Sequence, residues 1–336
     1  MPELRRDPLT GRWVVIATER ARRPQDFVRQ SRARAESGDC PFCEGHEAQT
    51  PAEVMAYRPA DLPANGPGWQ VRVVPNLYPA FEPATGALDL RRDGLYLAEQ
   101  ALGAHEVLIA SPQHVEEVAK LPLSQFELLV RAYIDRYRAH AANPLIQYIQ
   151  LIMNYGREAG ASRDHPHSQL FAVPLVPSLI DLELARSREH FASRGECLLC
   201  GILRQQLAEG ERVVLENERF AVFAPFASRW PFELWLVPRR HEARFERLDD
   251  EGQELLARAL KETLGKVFAG LNDPPFNYWL HTAPTQQPVD EYYHWHLELA
   301  PKLAIAAGFE LGTDVMINTA LPEEAAGFLR TTPGPA

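Results

Sequence analysis

Two His-x-His segments are the parts of this sequence best suited to chemistry. They are His165-Pro166-His167 and His294-Trp295-His296. Side chains on a strand alternate between faces, so both histidines of one segment are expected to face the same way. One imidazole can then hold a metal ion while the other faces a substrate. A neutral histidine among phosphate-binding donors can act as a nucleophile and form a covalent phospho-imidazole intermediate.

The residues that follow the two segments differ. Ser168 and Gln169 follow the first and supply a hydroxyl and an amide, which can donate hydrogen bonds to phosphate oxygens. Leu297 and Glu298 follow the second, and an apolar side chain and an anion would hold phosphate badly. We therefore predict that the element is used twice and that phosphate chemistry is retained only in the first copy.

A polar, glycine-containing stretch precedes the first segment. It reads NYGREAGAS and contains Asn154, Ser162 and two glycines. Such a loop can cradle a phosphate group with its backbone and side-chain donors. The alternative is an ordinary polar turn.

The four cysteines form two C-x-x-C pairs, CPFC and CLLC. Paired cysteines with this spacing favour metal binding over structural disulfides in a cytoplasmic protein. Structural zinc takes four cysteine or histidine ligands. We predict one set per half of the chain: Cys40, Cys43, His114 and His165, and Cys197, Cys200, His241 and His294. His46 and His105 are competing ligands, and one site built from all four cysteines is the alternative arrangement.

The order of the elements repeats along the chain. Each half reads C-x-x-C, a strand ending near a lone histidine, a long helix (123–141 or 249–271), another strand and His-x-His. The lone histidine and the His-x-His lie 51 residues apart in one half and 53 in the other. We predict an α+β fold of two tandem halves, each an antiparallel sheet with a packed helix. The predicted domains are 1–178 and 179–330, with a disordered tail at 331–336.

Composition excludes several classes of protein. The 336 residues are 46% hydrophobic and carry a net charge of −10, which argues against binding of nucleic acid polymers. No apolar stretch reaches the length of a membrane span, and the N-terminus lacks the apolar core of a signal peptide. We expect a cytoplasmic protein with no membrane partner. Residues 1–34 are locally basic, with nine arginines against four acidic residues.

Several motifs resemble one known family. They include ELRRDPLTGRWVVIATERARRP, CPFC, VRVVPNLYP, HEVLIASPQH, GASRDHPHSQ, FAPFASRWPFELWLVPRRH and GFELGTDVMIN, which together cover nearly the whole chain. The sequence is similar to the galactose-1-phosphate uridylyltransferases, a branch of the histidine-triad superfamily. The plant ADP-glucose phosphorylases of that family look at least as close, because they share the second C-x-x-C and NDPPFNY.

The resemblance implies two histidine-triad-like halves and a ping-pong transfer through His167. It implies that Gln169 holds the phosphate with Asn154 and Ser162 nearby, and it implies zinc in both halves. The remaining implied contacts are Arg20 and Arg23 to phosphates, Phe42 and Asn76 to the base, and Phe309 and Glu310 to the hexose. Family members tend to form homodimers.

The leading reaction implied by the resemblance is UDP-glucose plus galactose 1-phosphate giving glucose 1-phosphate plus UDP-galactose. The alternative is AMP transfer from ADP-glucose to phosphate; a nucleoside-phosphate hydrolase and a zinc-stabilised binding protein come after it. Two positions depart from the uridylyltransferases: Ser168 stands where glycine is common, and Leu77 where some have aspartate beside the base.

Overall fold

The computed structural model describes residues 1–17, 40–83, 90–115 and 117–334. The predicted phosphate contacts Arg20 and Arg23 lie outside the described residues. The strands are β1 (Glu3–Arg6), β2 (Trp13–Ile16), β3 (Met55–Tyr57), β4 (Val71–Pro75), β5 (Leu90–Asp93), β6 (Tyr96–Glu99), β7 (Ala104–Ile109), β8 (Tyr148–Tyr155), β9 (His167–Val173), β10 (Val213–Glu216), β11 (Phe220–Phe223), β12 (Leu234–Pro238), β13 (Phe276–His281), β14 (His296–Pro301) and β15 (Met316–Asn318). The helices are α1 (Leu123–Ala141), α2 (Ser178–Arg194), α3 (Leu198–Glu209), α4 (Asp250–Leu271), α5 (Gly308–Thr313) and α6 (Pro322–Thr331).

Ten strands form one sheet with the order β10-β11-β12-β14-β13-β8-β9-β7-β4-β3. Every neighbouring pair in it is antiparallel. The first half of the chain supplies β3, β4, β7, β9 and β8, and the second supplies β10, β11, β12, β14 and β13. The two five-stranded halves meet where β8 pairs with β13. Two small sheets, β1-β2-β15 and β5-β6, lie outside this one.

The two long helices predicted from the sequence cover the same face of the sheet. Apolar residues recur every three or four positions along α1, and Phe126, Tyr133 and Tyr137 from this stripe are buried. Helix α4 begins after Asp249, whose carboxylate accepts the backbone N–H of Gly252 at 2.8 Å and caps the first turn. Both helices share one apolar core with the inward side chains of the ten strands.

The prediction of an α+β fold with two tandem halves is confirmed, and the halves share one sheet. The helix predicted over 123–141 is α1, and that over 249–271 is α4 with one residue fewer at its start. Helix α6 ends at Thr331, the first residue of the predicted tail. In the described part of the chain, no helix combines the length and apolarity needed to cross a membrane.

Candidate active site

A cavity of about 390 Å³ opens on the side of the first half-sheet away from α1 and α4. It lies between the CPFC knuckle, the segment after β4, the loop before His165 and the start of β9. Its lining residues are Pro41, Phe42, Gln49, Thr50, Pro51, Val74, Pro75, Asn76, Leu77, Tyr78, Val107, Ser162, Arg163, His167 and Gln169. Five residues predicted for the site are therefore brought together here: Phe42, Asn76, Ser162, His167 and Gln169.

His167 is held as a neutral imidazole with one nitrogen available to a substrate. It begins β9 opposite Ile109 and is only 6% exposed. Its Nδ1 lies 2.9 Å from the carbonyl oxygen of His165 and donates to it, so the lone pair is on Nε2. Burial lowers the pKa of His167, and the charge of Arg163 lowers it further. The ring of Phe42 packs against it edge-on, with centroids 5.1 Å apart.

Ser168 does not stand beside His167, contrary to the sequence-based expectation. Its hydroxyl lies on the opposite face of the sheet, within hydrogen-bonding distance of the hydroxyl groups of Tyr133 and Tyr278. The strand alternation that places His167 and Gln169 on the cavity side places the residue between them in the core. Ser168 therefore contributes to packing between the sheet and α1.

Gln169 is oriented by a residue that sequence reasoning considered only as a competing metal ligand. Its Oε1 lies 2.8 Å from Nε2 of His105, whose Nδ1 accepts the backbone N–H of Ala80 at 3.2 Å. Asn76 Nδ2 lies 3.1 Å from the same Nε2, and Asn76 Oδ1 accepts the backbone N–H of Tyr78 at 2.9 Å. The amides of Gln169 and Asn76 thus converge on one imidazole at the cavity wall.

The loop predicted to cradle phosphate contributes to the cavity through its C-terminal end. Gly156 and Gly160 adopt positive φ angles of 83° and 88°, which allow the tight turn before Ser162. Ser162 and Arg163 line the cavity and are exposed. Sequence reasoning missed Arg163, although an arginine two residues before His165 is a signal for anion binding.

Asn154 lies outside the cavity lining. It is half-buried on β8, and its Oδ1 accepts a hydrogen bond of 2.7 Å from Asn277 Nδ2. Phe309 and Glu310 are also absent from the lining. Phe309 is 52% exposed, and the carboxylate of Glu310 accepts the backbone N–H of Ala307 at the start of α5. Phe309 and Glu310 are thus separate from the cavity within one chain. Asn154 is not, because the β8–β9 register pairs Met153 with Ser168 and Ile152 with Gln169, and so places Asn154 on the cavity face of the sheet next to His167.

The two predicted metal-ligand sets are each assembled, and each could bind a metal ion. One contains Cys40, Cys43, His114 and His165, and the other contains Cys197, Cys200, His241 and His294. In each set the candidate ligand atoms lie within 4.8 Å of one another. All four cysteines are free thiols. The structure therefore separates the cysteines into two clusters, in place of the single shared site weighed as an alternative.

Their geometry fits tetrahedral zinc. Bonds of about 2.3 Å to sulfur and about 2.0 Å to nitrogen place ligand atoms roughly 3.5 Å apart. Cys43 Sγ lies 3.4 Å from His114 Nδ1, and Cys200 Sγ lies 3.4 Å from Nδ1 of both His241 and His294. His165 Nε2 donates to the carbonyl of Ser111 at 2.7 Å, which leaves Nδ1 as the ligand atom.

A third cluster occupies the second half beside His296. Glu183, His281, His296 and Glu298 are all buried, and their polar atoms lie within 4.8 Å of one another. The guanidinium of Arg229 pairs with Glu298 and with Glu233. This arginine supplies a cation to Glu298, whereas Glu183 is bound by His281 and by the hydroxyl of Tyr293.

Comparison with known proteins identifies the family of the chain. The family model described as galactose-1-phosphate uridyl transferase, N-terminal domain, matches residues 1–177, and its C-terminal counterpart matches residues 183–330. The chain belongs to the galactose-1-phosphate uridyl transferase family. The family assignment from sequence is thus confirmed, and with it the prediction of a nucleotidyltransferase of the hexose-1-phosphate type.

Relatives of two kinds are found within the family. ADP-glucose phosphorylase of Arabidopsis thaliana is 36% identical, covering 98% of this chain and 92% of that protein. Galactose-1-phosphate uridylyltransferase of Thermotoga maritima is 31% identical, covering 99% of each. The crystal structure of the Arabidopsis ADP-glucose phosphorylase with bound ADP-glucose superposes with a TM-score of 0.82 at 33% identity, covering 99% of this chain and 100% of that one. A structure of uridylyltransferase gives a TM-score of 0.76 at 31% identity, covering 99% and 98%.

Proposed function

We propose that this protein transfers a nucleotidyl group from a nucleotide sugar through a covalent intermediate on His167. The leading reaction is UDP-glucose plus galactose 1-phosphate to glucose 1-phosphate plus UDP-galactose. The observation that carries the proposal is the position of His167. It is buried, burial lowers its pKa, it lines the cavity, and its Nδ1 donates to the backbone carbonyl of His165.

The proposed chemistry has two displacements at the same phosphorus. His167 Nε2 attacks the α-phosphorus, the bond to the bridging oxygen breaks, and glucose 1-phosphate leaves with the electron pair. An oxygen of the acceptor phosphate then attacks the nucleotidyl-imidazole and restores neutral His167. Gln169, Ser162 and Arg163 line the same cavity and supply donors for the charge on the phosphoryl oxygens. Phe42 and Asn76 border the space for the base.

We propose zinc as the metal of both cysteine–histidine clusters, with about two ions per chain. Each cluster offers two thiols and two imidazoles, so neither leaves an open coordination position and the role is structural. His165 belongs to the first cluster and lies two residues before His167. A metal there would fix the start of β9, on which the nucleophile stands. The thiolates must stay reduced to bind zinc, which fits the cytoplasmic location expected from the sequence.

The second candidate is AMP transfer from ADP-glucose to phosphate. It is favoured by the 36% identity with an ADP-glucose phosphorylase and by Leu77 at the cavity wall. The covalent chemistry at His167 is the same in both reactions. They differ in the base bound near Phe42 and Asn76 and in the acceptor, galactose 1-phosphate or phosphate.

Phe309 and Glu310 remain proposed hexose contacts. Because they are separate from the cavity in one chain, this role requires that they approach the cavity of a second copy. Ile305, Phe309 and Leu311 are 92%, 52% and 78% exposed, which leaves an apolar segment available for that contact. We therefore propose a homodimer whose sites are completed across the interface.

Labelled nucleotide sugars test the proposal. UDP-glucose and ADP-glucose carrying label on the α-phosphate are each incubated with the enzyme without acceptor, and protein-bound label is measured. We expect stoichiometric label from the true donor and its release by the true acceptor. His167→Gly should take up no label while remaining folded, and added imidazole should restore part of the turnover. Substantial transfer by the unaided variant would exclude a covalent intermediate on His167.

A further inference from the structure

The hydrogen bonds at the cavity wall give His105 a defined protonation state. Its Nδ1 accepts the backbone N–H of Ala80, so in the neutral ring the single proton is on Nε2. Burial lowers the pKa of His105, which favours the neutral form. The Nε2–H therefore donates to Gln169 Oε1 at 2.8 Å. The imidazole ring also stacks on the ring of Phe171, with centroids 4.0 Å apart and planes inclined by 24°.

This bond decides which end of the Gln169 amide faces the cavity. A carboxamide has one accepting oxygen and one NH₂ donor group. With its oxygen bound to His105, Gln169 directs the NH₂ group toward the cavity that contains His167. The flipped amide would present its oxygen to a phosphate anion, which replaces an attraction with a repulsion. The imidazole proton thus determines whether Gln169 can bind phosphate.

Asn76 is oriented by a backbone group and not by the proton of His105. Its Oδ1 is occupied by the backbone N–H of Tyr78, so Nδ2 is the atom that lies 3.1 Å from His105 Nε2. Both nitrogens carry hydrogen, and the proton on Nε2 is directed to Gln169. The Asn76 NH₂ hydrogens therefore stay available to a ligand. Both amides that approach His105 thus have NH₂ donors available to the cavity they line.

We propose that His105 is a positioning residue for nucleotidyl transfer, which holds Gln169 with its donors directed at the phosphoryl oxygens. The proposal rests on the proposed function, since it assigns the ligand of Gln169 as the transferred phosphate. His105 lies on β7, opposite Phe171 on β9, and it lies outside both cysteine–histidine clusters. It acts through Gln169, without contact with the reacting atoms.

Two variants of His105 separate the hydrogen bond from the packing. His105→Leu removes the donor at similar volume, whereas His105→Gln keeps an N–H close to the position of Nε2; both lose the ring that stacks on Phe171. We expect His105→Leu to lower kcat for transfer by about 10²-fold, the usual loss for one donor to a developing oxyanion. His105→Gln should recover most of that loss, with similar thermal stability in the two variants.

A stereochemical readout distinguishes positioning from general damage. The Rp and Sp diastereomers of UDP-glucose and ADP-glucose with sulfur on the α-phosphate differ in which phosphoryl oxygen is replaced. Wild type should prefer one diastereomer, and His105→Leu and Gln169→Leu should each lose that preference to a similar extent. The double variant His105→Leu/Gln169→Leu should be no worse than Gln169→Leu alone, because the two residues act as one unit.

The outcomes separate this proposal from the proposed function. Absence of covalent label in wild type would overturn the proposed function. Normal labelling in wild type, combined with unchanged diastereomer preference in His105→Leu, would overturn only the positioning role. Additive losses in the double variant would also overturn it. If His105→Leu fails to fold, failure of His105→Gln to keep the wild-type preference decides against the proposal.

Discussion

Matching positions on three neighbouring strands carry different kinds of side chain in the two halves of the sheet. In the first half, strand pairing aligns Val74, Val107 and Gln169 across β4, β7 and β9. In the second half the corresponding row across β11, β12 and β14 is Phe223, Trp235 and Glu298. Two valines and an amide leave an open cavity at His167. Two aromatic side chains and a carboxylate occupy the same places beside His296.

Trp235 changes access to the second histidine. Its ring centroid lies 5.2 Å from that of His296, and both residues are buried. A larger cavity of about 660 Å³ lies over Phe223 and Trp235, but His296 does not line it. The volume of a cavity therefore does not identify the candidate active site in this protein. The smaller cavity is the one that reaches a histidine with a free nitrogen.

The metal-ligand clusters, unlike the surroundings of His167 and His296, are alike in the two halves. Both halves have two cysteines and two histidines at matching positions. The cluster residues are thus present also in the half where Trp235 covers the second histidine. This difference supports our proposal of a structural role for both clusters and of phosphate binding by the amide and loop donors of the first half alone.

The largest expected effect compares the second histidines of the two segments. His167→Asn should lower turnover by at least about 10⁴-fold, because it removes the nucleophile. His296→Asn should leave turnover per folded molecule close to wild type, since Trp235 covers that ring. Steady-state assays with the donor identified by labelling measure both. Equal losses would mean that two sites work and that the comparison drawn here is wrong.

A smaller effect is expected from the metal clusters. Cys40→Ser and Cys197→Ser should each lose about one of two zinc ions, because each removes a thiolate from a separate cluster. Cys40→Ser should lower turnover by roughly tenfold or more, since His165 connects its cluster to His167. Cys197→Ser should act through stability. Metal analysis and turnover are measured at a temperature where both variants are folded; loss of the same single ion in both would indicate one shared site.

The smallest expected effect is in the acid dependence of stability. Burial raises the pKa of Glu298, but the charge of Arg229 and the hydrogen bond to His296 lower it by more. The pKa of Glu298 therefore lies well below its usual range. Its contribution to stability is therefore present above the unfolded-state pKa of about 4.3 and is lost as pH falls through the lower folded-state pKa. Denaturant unfolding of wild type and Glu298→Gln should differ most above about pH 4.3 and converge in acid.

Gln169→Leu is the matched control for this measurement, because the first half has an uncharged amide at the corresponding position. Its effect on the free energy of unfolding should not shrink in acid, because the hydrogen bond with Gln169 raises the pKa of His105 and so contributes stability at low pH. A difference between wild type and Glu298→Gln that stays constant from neutral pH into acid would mean that Glu298 is not ionised in the folded protein.

Local and repeated features of the fold could be predicted from the sequence. The spacing of apolar residues predicted helices α1 and α4. The matched order of the motifs predicted two halves with one set of metal ligands in each. Helix α2 was missed, because its apolar residues that reach the core, such as Ile180 and Leu184, form only a narrow stripe on a mostly polar helix.

The site was predicted less completely, because cavity contents depend on pairing between distant strands. Ser168 was placed on the wrong face, since its neighbours in sequence suggested a role that strand alternation excludes. His105 was considered only as a metal ligand, because its bond to Gln169 joins residues 64 positions apart. Asn154 stays a predicted phosphate contact, because Asn277 from the other half binds its oxygen and leaves its NH₂ group as a donor.

The junction between β8 and β13 has a consequence for dividing the chain. Five residue pairs, from Tyr155–Phe276 to Leu151–Leu280, join the halves at the centre of the sheet. Separating the halves would expose two long apolar strand edges, which are prone to aggregate. Gene fission between the halves would therefore yield fragments that need each other as partners, although each contains its own set of metal ligands. The chain contains two similar halves, but the molecule is expected to fold and unfold as one unit.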